Sequence, residues 1–350
     1  MENKAQVRVL VISYNHGNYL RQCLDGIFMQ KCNFPFEVVV FDDISTDDSW
    51  EIIQEYKRQY GNQMVAIQPE SNTYQQGEYC GSLIEIGKMQ PTKYIAFCEG
   101  DDYWTDPYKL QRQYDILEKN PSCSICVCDV ELYDVINNCC IGMAPANYNE
   151  SCSADELINK VLSYQVSFRL NGFLGRAEEL QKENYSDKFW NYWAVDLSLL
   201  IYYLLRGDLV YLPENMATKR VNNQGSVSYT SNQGRNIIKW QIREYEEDIE
   251  WINNFDNLTQ QRYHKMVAYY IAFRKIKLYY LYKGQLDENR WVSNLNGKMF
   301  RKGFARRINQ IYVNRICSKY CNDTEKYIEI SSNWMEKEWK RLQKKDSKKY

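Results

Sequence analysis

The residues best able to do chemistry stand in three polar turns, each following an apolar run. After Tyr94-Ile-Ala-Phe97 comes Cys98-Glu99-Gly100-Asp101-Asp102-Tyr103-Trp104, and after Val38-Val-Val-Phe41 comes Asp42-Asp43-Ile44-Ser45-Thr46-Asp47-Asp48. The third turn, Ser13-Tyr14-Asn15-His16-Gly17-Asn18, follows Val7-Arg-Val-Leu-Val-Ile12. Unpaired charge beside a buried run is costly, so adjacent carboxylates there are better explained by a cation and phosphate oxygens than by packing. Mg²⁺ or Mn²⁺ takes hard oxygen ligands, one or two carboxylates completed by diphosphate oxygens and water. Two acidic turns in one such pattern point to a nucleotide-diphosphate site.

The elements that must hold these turns are legible from periodicity. Residues 7–12 read as a strand, and the spacing of Leu20, Leu24, Ile27 and Phe28 predicts a helix after the first turn. The unit repeats: Phe36 to Phe41 as strand, then a helix from about Asp47 with Ile52, Ile53 and Tyr56 on one face, begun by an Asp or Ser cap. Met64 to Ile67 and Tyr94 to Phe97 are further strands, with a helix near Tyr79 to Met89 between them. Pro107 suits the first turn of a helix that buries Leu110, Tyr114 and Leu117 and stops at Asn120-Pro121. Ser124 to Tyr133 reads as a strand, followed by a loose connection through Asn149 and a helix around Ala154 to Leu162. An apolar helix from about Trp193 to Leu205 ends at Arg206-Gly207, and a late strand and loop start near Tyr211-Leu-Pro213. Strands alternating with helices imply an α/β fold with a mostly parallel sheet covered on both faces, ligands binding beyond the C-terminal strand ends.

Composition removes several classes. The 350 residues carry 44 basic and 45 acidic side chains, net charge −1, so nucleic acid is not the default partner. No run approaches the roughly 18 apolar residues of a membrane span, and the N-terminus lacks a signal-peptide apolar core, so the expected location is cytoplasmic. The twelve cysteines are scattered, many inside apolar runs, and read as free thiols. Cys123-Ser-Ile-Cys126-Val-Cys128 has too few partner ligands for zinc, with only His16 and His264 in the chain, and its alternation reads as strand. From about Gly234 the composition turns to long helical periodicity rich in Tyr, Arg and Lys, which sets domains at 1–233 and 234–350.

Val11-Ile-Ser-Tyr-Asn15, Asp42-Asp43-x-Ser45-x-Asp47 and Glu99-Gly-Asp-Asp-Tyr-Trp104-x-Asp-Pro-x-Lys-Leu110 occur in order, each at a strand end. Together they resemble family 2 glycosyltransferases of the GT-A fold, over roughly residues 6 to 230. The resemblance implies a Rossmann-like, mostly parallel mixed sheet with helices on both faces, here followed by a C-terminal helical extension. It places Tyr14 near the nucleotide base, with Ile12, Ser13 and Asn15 lining the same wall, and gives Asp43 a hydrogen bond from base or ribose. Ser45 and Asp47 suffice as turn and cap. Asp101-Asp102 resembles the metal-binding Asp-x-Asp motif, with Asp102 as direct ligand and Asp101 contacting ribose, sugar or water. Glu99 and Asp106 have no assigned part.

An acceptor hydroxyl needs a base. The segment Trp190-Asn-Tyr-Trp-Ala-Val-Asp196 resembles the family element in which an aspartate closes an acidic pair, with Val195 here in place of the first acid. Asp196 is the expected base; a helix-terminal aspartate stabilised by the dipole is the plainer alternative. Lys219-Arg220-Val-Asn222-Asn-Gln-Gly-Ser226-Val-Ser228 resembles a late loop closing over the diphosphate, with Asn222 where a histidine is common. Arg220 is the expected phosphate clamp, a surface ion pair its alternative.

Residues 289–322 hold eight Lys or Arg and no acid, interleaved with Trp291, Phe300, Phe304, Ile308 and Ile311. Such a segment either lies on the anionic inner face of a membrane, where lipid-linked acceptors reside, or packs with a solvated basic face. The expectation is an inverting, metal-dependent transferase moving a sugar from a nucleotide-diphosphate donor, UDP preferred, to a hydroxyl of a surface glycan. A degenerate nucleotide-sugar-binding scaffold and a Mg²⁺-dependent nucleotidyltransferase are the rivals.

Overall fold

The computed structural model describes residues 4–145, 148, 152–162, 165–180, 189–190, 192–223, 236–268, 270–271 and 274. It divides into two compact units, 1–233 and 234–350. The basic stretch 289–322 lies outside the described residues.

The first unit is built on β1 (Val7–Ser13), β2 (Phe36–Asp42), β3 (Met64–Ile67) and β4 (Tyr94–Glu99). These strands pair in parallel in the order β3-β2-β1-β4. Register puts Ser13 beside Asp42 and Ile12 beside both Phe41 and Glu99, so the three polar turns emerge at one end of the sheet. The sheet continues through β8 (Phe173–Arg176), β6 (Cys123–Asp134) and β9 (Asp208–Val221) to the two-residue β5 (Tyr103–Trp104), with β7 (Cys139–Ala144) against β6. β8 is antiparallel to both β4 and β6, β9 runs parallel to β6, and β5 and β7 are antiparallel to β9 and β6. The expected mixed α/β sheet is present.

β7 replaces what periodicity reads as connection, and β8 lies in a stretch to which periodicity assigns no element. β7 keeps exposed residues and a positive-φ glycine, Gly142 (φ 152°), so it carries no hydrophobic alternation. β8 is four residues long, and its Gly175 sits under the Tyr203 ring, where a Cβ would come within 2.1 Å. Pro213 falls inside β9, where the pairing with β6 slips between Cys128 and Asp129; a residue without an N–H is tolerated at such an irregularity.

Helices cover both faces. Val7, Val9 and Val11 point into a core shared with Leu20, Leu24 and Ile27 of α1 (Gly17–Phe28), Ile52 and Ile53 of α2 (Ser49–Tyr60), and Leu110 and Leu117 of α4 (Lys109–Lys119). Each such fully buried side chain contributes about 1.5–3 kcal/mol of transfer free energy. On the opposite face Arg8 reaches α3 (Gly81–Gly87), donating to the carbonyls of Ile86 (3.4 Å) and Gln90 (2.7 Å). The apolar α7 (Val195–Leu204) lies on that side too, through Tyr203 over Gly175. Its neighbours include α5 (Ala154–Leu162), while the short α6 (Ala177–Leu180) continues from β8. Gly26 of α1 lets the helix meet β5, since a Cβ there would stand 2.6 Å from the Trp104 carbonyl oxygen. The ten described cysteines are free thiols.

The second unit contains α8 (Asn236–Leu258), in which Trp251 and Phe255 stack with ring centroids 6.1 Å apart. Arg274 is buried against Asp248 and lies over the rings of Tyr245 and Tyr270 at 5.1 and 4.7 Å. Among the described residues no helix is long and apolar enough to cross a membrane.

Candidate active site

One side of the site is built where β1 and β2 end. Asn15 (φ 55°) and Ile44 (φ 62°) adopt left-handed backbone, which asparagine tolerates and which is strained for a β-branched residue. These turns are tied together. Asn15 Oδ1 accepts the Thr46 N–H (2.7 Å), the Asn15 N–H donates to Ser45 Oγ (2.8 Å), and the Asp43 N–H donates to the Ser13 carbonyl (2.9 Å). Asp47 joins the starts of two helices, accepting the Gly17 N–H (2.9 Å) and the Ser49 N–H (3.0 Å). Burial works against its charge, but the Ser49 hydroxyl and these two N–H groups hold the carboxyl below its usual range. The cap on α2 thus comes from Asp47, one residue before the boundary position.

Asp43 is buried, and its carboxylate is fully engaged by the next loop: Oδ1 accepts the Thr73 N–H (2.7 Å) and hydroxyl (2.9 Å), and Oδ2 accepts the Tyr74 N–H (3.0 Å). Tyr14 is half-buried, its hydroxyl 3.4 Å from Gln75 Nε2. Ser13 is buried with no partner for its hydroxyl among the described residues, and the Ile12 carbonyl accepts the Gly100 N–H (2.8 Å).

The second side forms where β4 and β9 end and α7 begins. Asp102 is completely enclosed. Its Oδ1 accepts the Arg220 backbone N–H (2.8 Å), while Oδ2 has no hydrogen-bond donor among the described residues. Lys219 Nζ stands 2.6 Å from Glu99 Oε2 and 3.5 Å from Asp102 Oδ2. Asp101 Oδ2 accepts from Asn223 Nδ2 (2.7 Å) and lies 3.9 Å from His16 Nε2. Burial, aided by Asp101 and Glu99, pushes the Asp102 carboxyl well above its ordinary value against the pull of Lys219. For Asp101 burial is outweighed by His16, Lys219 and the Asn223 amide, and its carboxyl lies low. Asp196 occupies the first turn of α7, half-buried, with Oδ1 on the Leu197 N–H (2.8 Å). Burial first and then Glu99 raise it, while Lys219 and Arg169 oppose.

One expectation changes. Arg220 is no free phosphate clamp: its guanidinium lies between the Tyr19 and Tyr103 rings (4.9 and 4.4 Å) and donates to the Asp101 carbonyl (2.5 Å) and to Gln22 Oε1. It holds the acidic turn in place. Strand parity sends Lys219, its neighbour on β9, to the opposite face and into the carboxylates. Asn222 (φ 60°) turns to Asp134 (3.0 Å), and Asn223 supplies the amide to the site. Lys219, Glu99 and Asn223 are the residues that motif reading passed over; the alternation along β9 was the available signal.

An enclosed carboxylate oxygen that takes no hydrogen bond among the described residues, with Asp101 beside it, fits a divalent cation. Among the described residues no group of three or more His, Cys, Asp or Glu could hold one unaided. That donor set suits an ion completed by phosphate oxygens and water.

Residues 8–137 match the model of Glycosyl transferase family 2. Among curated relatives it is 30% identical over 219 residues to the protein Rv1520 of Mycobacterium tuberculosis, a match covering 62% of this chain and 59% of that one. The chain therefore spans about three fifths of the length of that relative. It is 29% identical over 112 residues to the UDP-Glc:alpha-D-GlcNAc-diphosphoundecaprenol beta-1,3-glucosyltransferase WfaP of Escherichia coli, covering 32% of this chain and 41% of WfaP. Two solved structures share the fold. S. aureus TarS 1–349 in complex with UDP-GlcNAc superposes with TM-score 0.53 at 18% identity, covering 78% of this chain and 73% of that one. The mannosyltransferase PcManGT of Pyrobaculum calidifontis, in complex with GDP-Man and Mn²⁺, gives 0.50 at 12% identity, covering 94% and 86%. The fold is of the GT-A glycosyltransferase type.

Proposed function

We propose that the chain is an inverting, divalent-metal-dependent glycosyltransferase that moves a sugar from a nucleoside-diphosphate donor, UDP preferred, to a hydroxyl of a surface glycan or lipid-linked glycan acceptor. The observation that carries this reading is the gathering of Asp102, Glu99 and Asp196 about Lys219 at the strand ends where diphosphate binds in such folds. The WfaP likeness supports a UDP-sugar donor and a lipid-linked acceptor, and the PcManGT complex supports a divalent ion.

In this reading Tyr14 and Asn15 flank the nucleoside, and Asp43 shapes its pocket by fixing the 72–74 loop, with any further contact made by a carboxylate already in use. Asp102, with Asp101, would hold Mg²⁺ or Mn²⁺. When bound, the ion neutralises charge on the departing diphosphate. Asp196 takes the acceptor proton; its raised carboxyl is a stronger base than an ordinary aspartate, closer to what proton abstraction from a hydroxyl requires. Direct attack on the anomeric carbon opposite the leaving diphosphate inverts its configuration.

Incubating the chain with a panel of nucleotide sugars, Mn²⁺ and candidate glycan acceptors tests the reading. Free nucleoside diphosphate appearing with one donor is the expected result. Pyrophosphate release would assign nucleotidyl transfer instead, and donor binding without any release would leave only a scaffold.

A further inference from the structure

The carboxylates at the ends of β4 and β9 already contain a cation. Lys219 is a strand residue, its side chain 23% exposed, with Nζ 2.6 Å from Glu99 Oε2 and 3.5 Å from Asp102 Oδ2. Asp102 is wholly enclosed and its Oδ2 takes no hydrogen bond among the described residues. A divalent ion bound to Oδ2 would sit about 2.1 Å from it. An ammonium 3.5 Å from the same oxygen would be repelled by that ion, and strongly so in an enclosed site. Lys219 and the ion therefore cannot both be at ease on Asp102.

Resting on the glycosyltransferase reading, we propose that Lys219 is the resident counter-ion of this cluster: it competes with a divalent cation for Asp102 and yields that oxygen when a nucleoside diphosphate draws the ammonium onto its phosphates. Lys219 is well suited to remain charged. The carboxylates of Glu99 and Asp102 lie beside its Nζ, at 2.6 and 3.5 Å. The flexible four-carbon stem lets a point charge move between carboxylate and phosphate, which a planar guanidinium fixed between two rings does not do. Arg220 next to it is held in that way, between Tyr19 and Tyr103. Metal and nucleotide would then bind with positive coupling, each improving the other's affinity by the same factor.

The test is Mn²⁺ binding to the full chain, followed by electron paramagnetic resonance, with and without UDP and corrected for Mn²⁺ bound to UDP in solution. Wild type should bind Mn²⁺ weakly alone and at least 10-fold more tightly with UDP. Lys219→Gln should bind Mn²⁺ alone at least 10-fold more tightly than wild type and lose most of the coupling to UDP. Lys219→Arg, which keeps the charge, should stay weak. Thermal melting confirms that each variant is folded, and Lys219→Met serves if Lys219→Gln is not. Unchanged or weaker binding by the neutral variants, equal tightening by Lys219→Arg, or no Mn²⁺ binding by any of these proteins would overturn the proposal. Diphosphate release by wild type from the donor panel is read separately, so failure of the lysine proposal and failure of the transferase reading are distinguishable.

Discussion

The two acidic turns have similar composition and opposite physical states. At the end of β2, Asp42 accepts from the Ser45 N–H (3.1 Å), the Ser45 hydroxyl and Gln68 (2.9 Å), and Asp43 accepts from Thr73 and Tyr74. Every carboxylate oxygen of Asp42 and Asp43 is answered by the protein. At the end of β4, Asp102 has one backbone N–H and an ammonium at 3.5 Å, with one oxygen otherwise unanswered. Carboxylates with saturated partners make a rigid frame, whereas an enclosed carboxylate short of donors stores an unmet demand for positive charge. The first turn is held by the protein's own donors, and the second relies on the Lys219 ammonium for the oxygen that no hydrogen bond reaches.

This contrast can be broken most forcefully at Asp102. Asp102→Ala should lower sugar transfer at least 100-fold and abolish nucleotide-supported Mn²⁺ binding, at a stability cost of about 1 kcal/mol, because the Arg220 N–H loses its acceptor while a poorly solvated charge is removed with it. Activity and a urea unfolding curve on the same preparation check both halves.

At Asp43 the balance reverses. Asp43→Ala leaves the N–H groups of Thr73 and Tyr74 and the Thr73 hydroxyl without their acceptor, so we expect a stability loss of about 1–3 kcal/mol and donor binding weakened by about 10-fold. Denaturant midpoints and donor titration read these out. The smallest effect belongs to Asn222→Ala, which removes a contact to Asp134 outside the carboxylate cluster. Mn²⁺ affinity should stay within 2-fold of wild type, whereas Asn223→Ala should shift it further, since its amide donates to Asp101.

Much of this was legible in the sequence, for reasons that also explain what was not. Strands β1, β2 and β4 announce themselves because both faces are largely buried, which leaves nearly continuous apolar runs ending in polar turns. The helix carrying Asp196 is as plain, being apolar nearly all round. β8 is short and interrupted by a glycine that exists to admit Tyr203, and β7 is an exposed edge, so neither has a period to detect. Motif likeness pointed to Arg220 by residue type; the alternation of a strand decides which of two adjacent cations faces the carboxylates, and that is Lys219. A left-handed turn at residue 222 likewise passes the amide role to Asn223.

The central claim, that Asp196 is the base of a transferase whose donor is held elsewhere, is tested most directly by the pH dependence of transfer with donor binding measured in parallel. Burial and Glu99 raise the Asp196 carboxyl, so the group is protonated and inactive at acid pH, and the rate should climb with pH through a value above the ordinary aspartate range of about 3.9. Asp196→Asn should bind donor as wild type does and transfer at least 100-fold more slowly, with that acid limb gone. An asparagine variant that keeps both the rate and the acid limb would contradict the account.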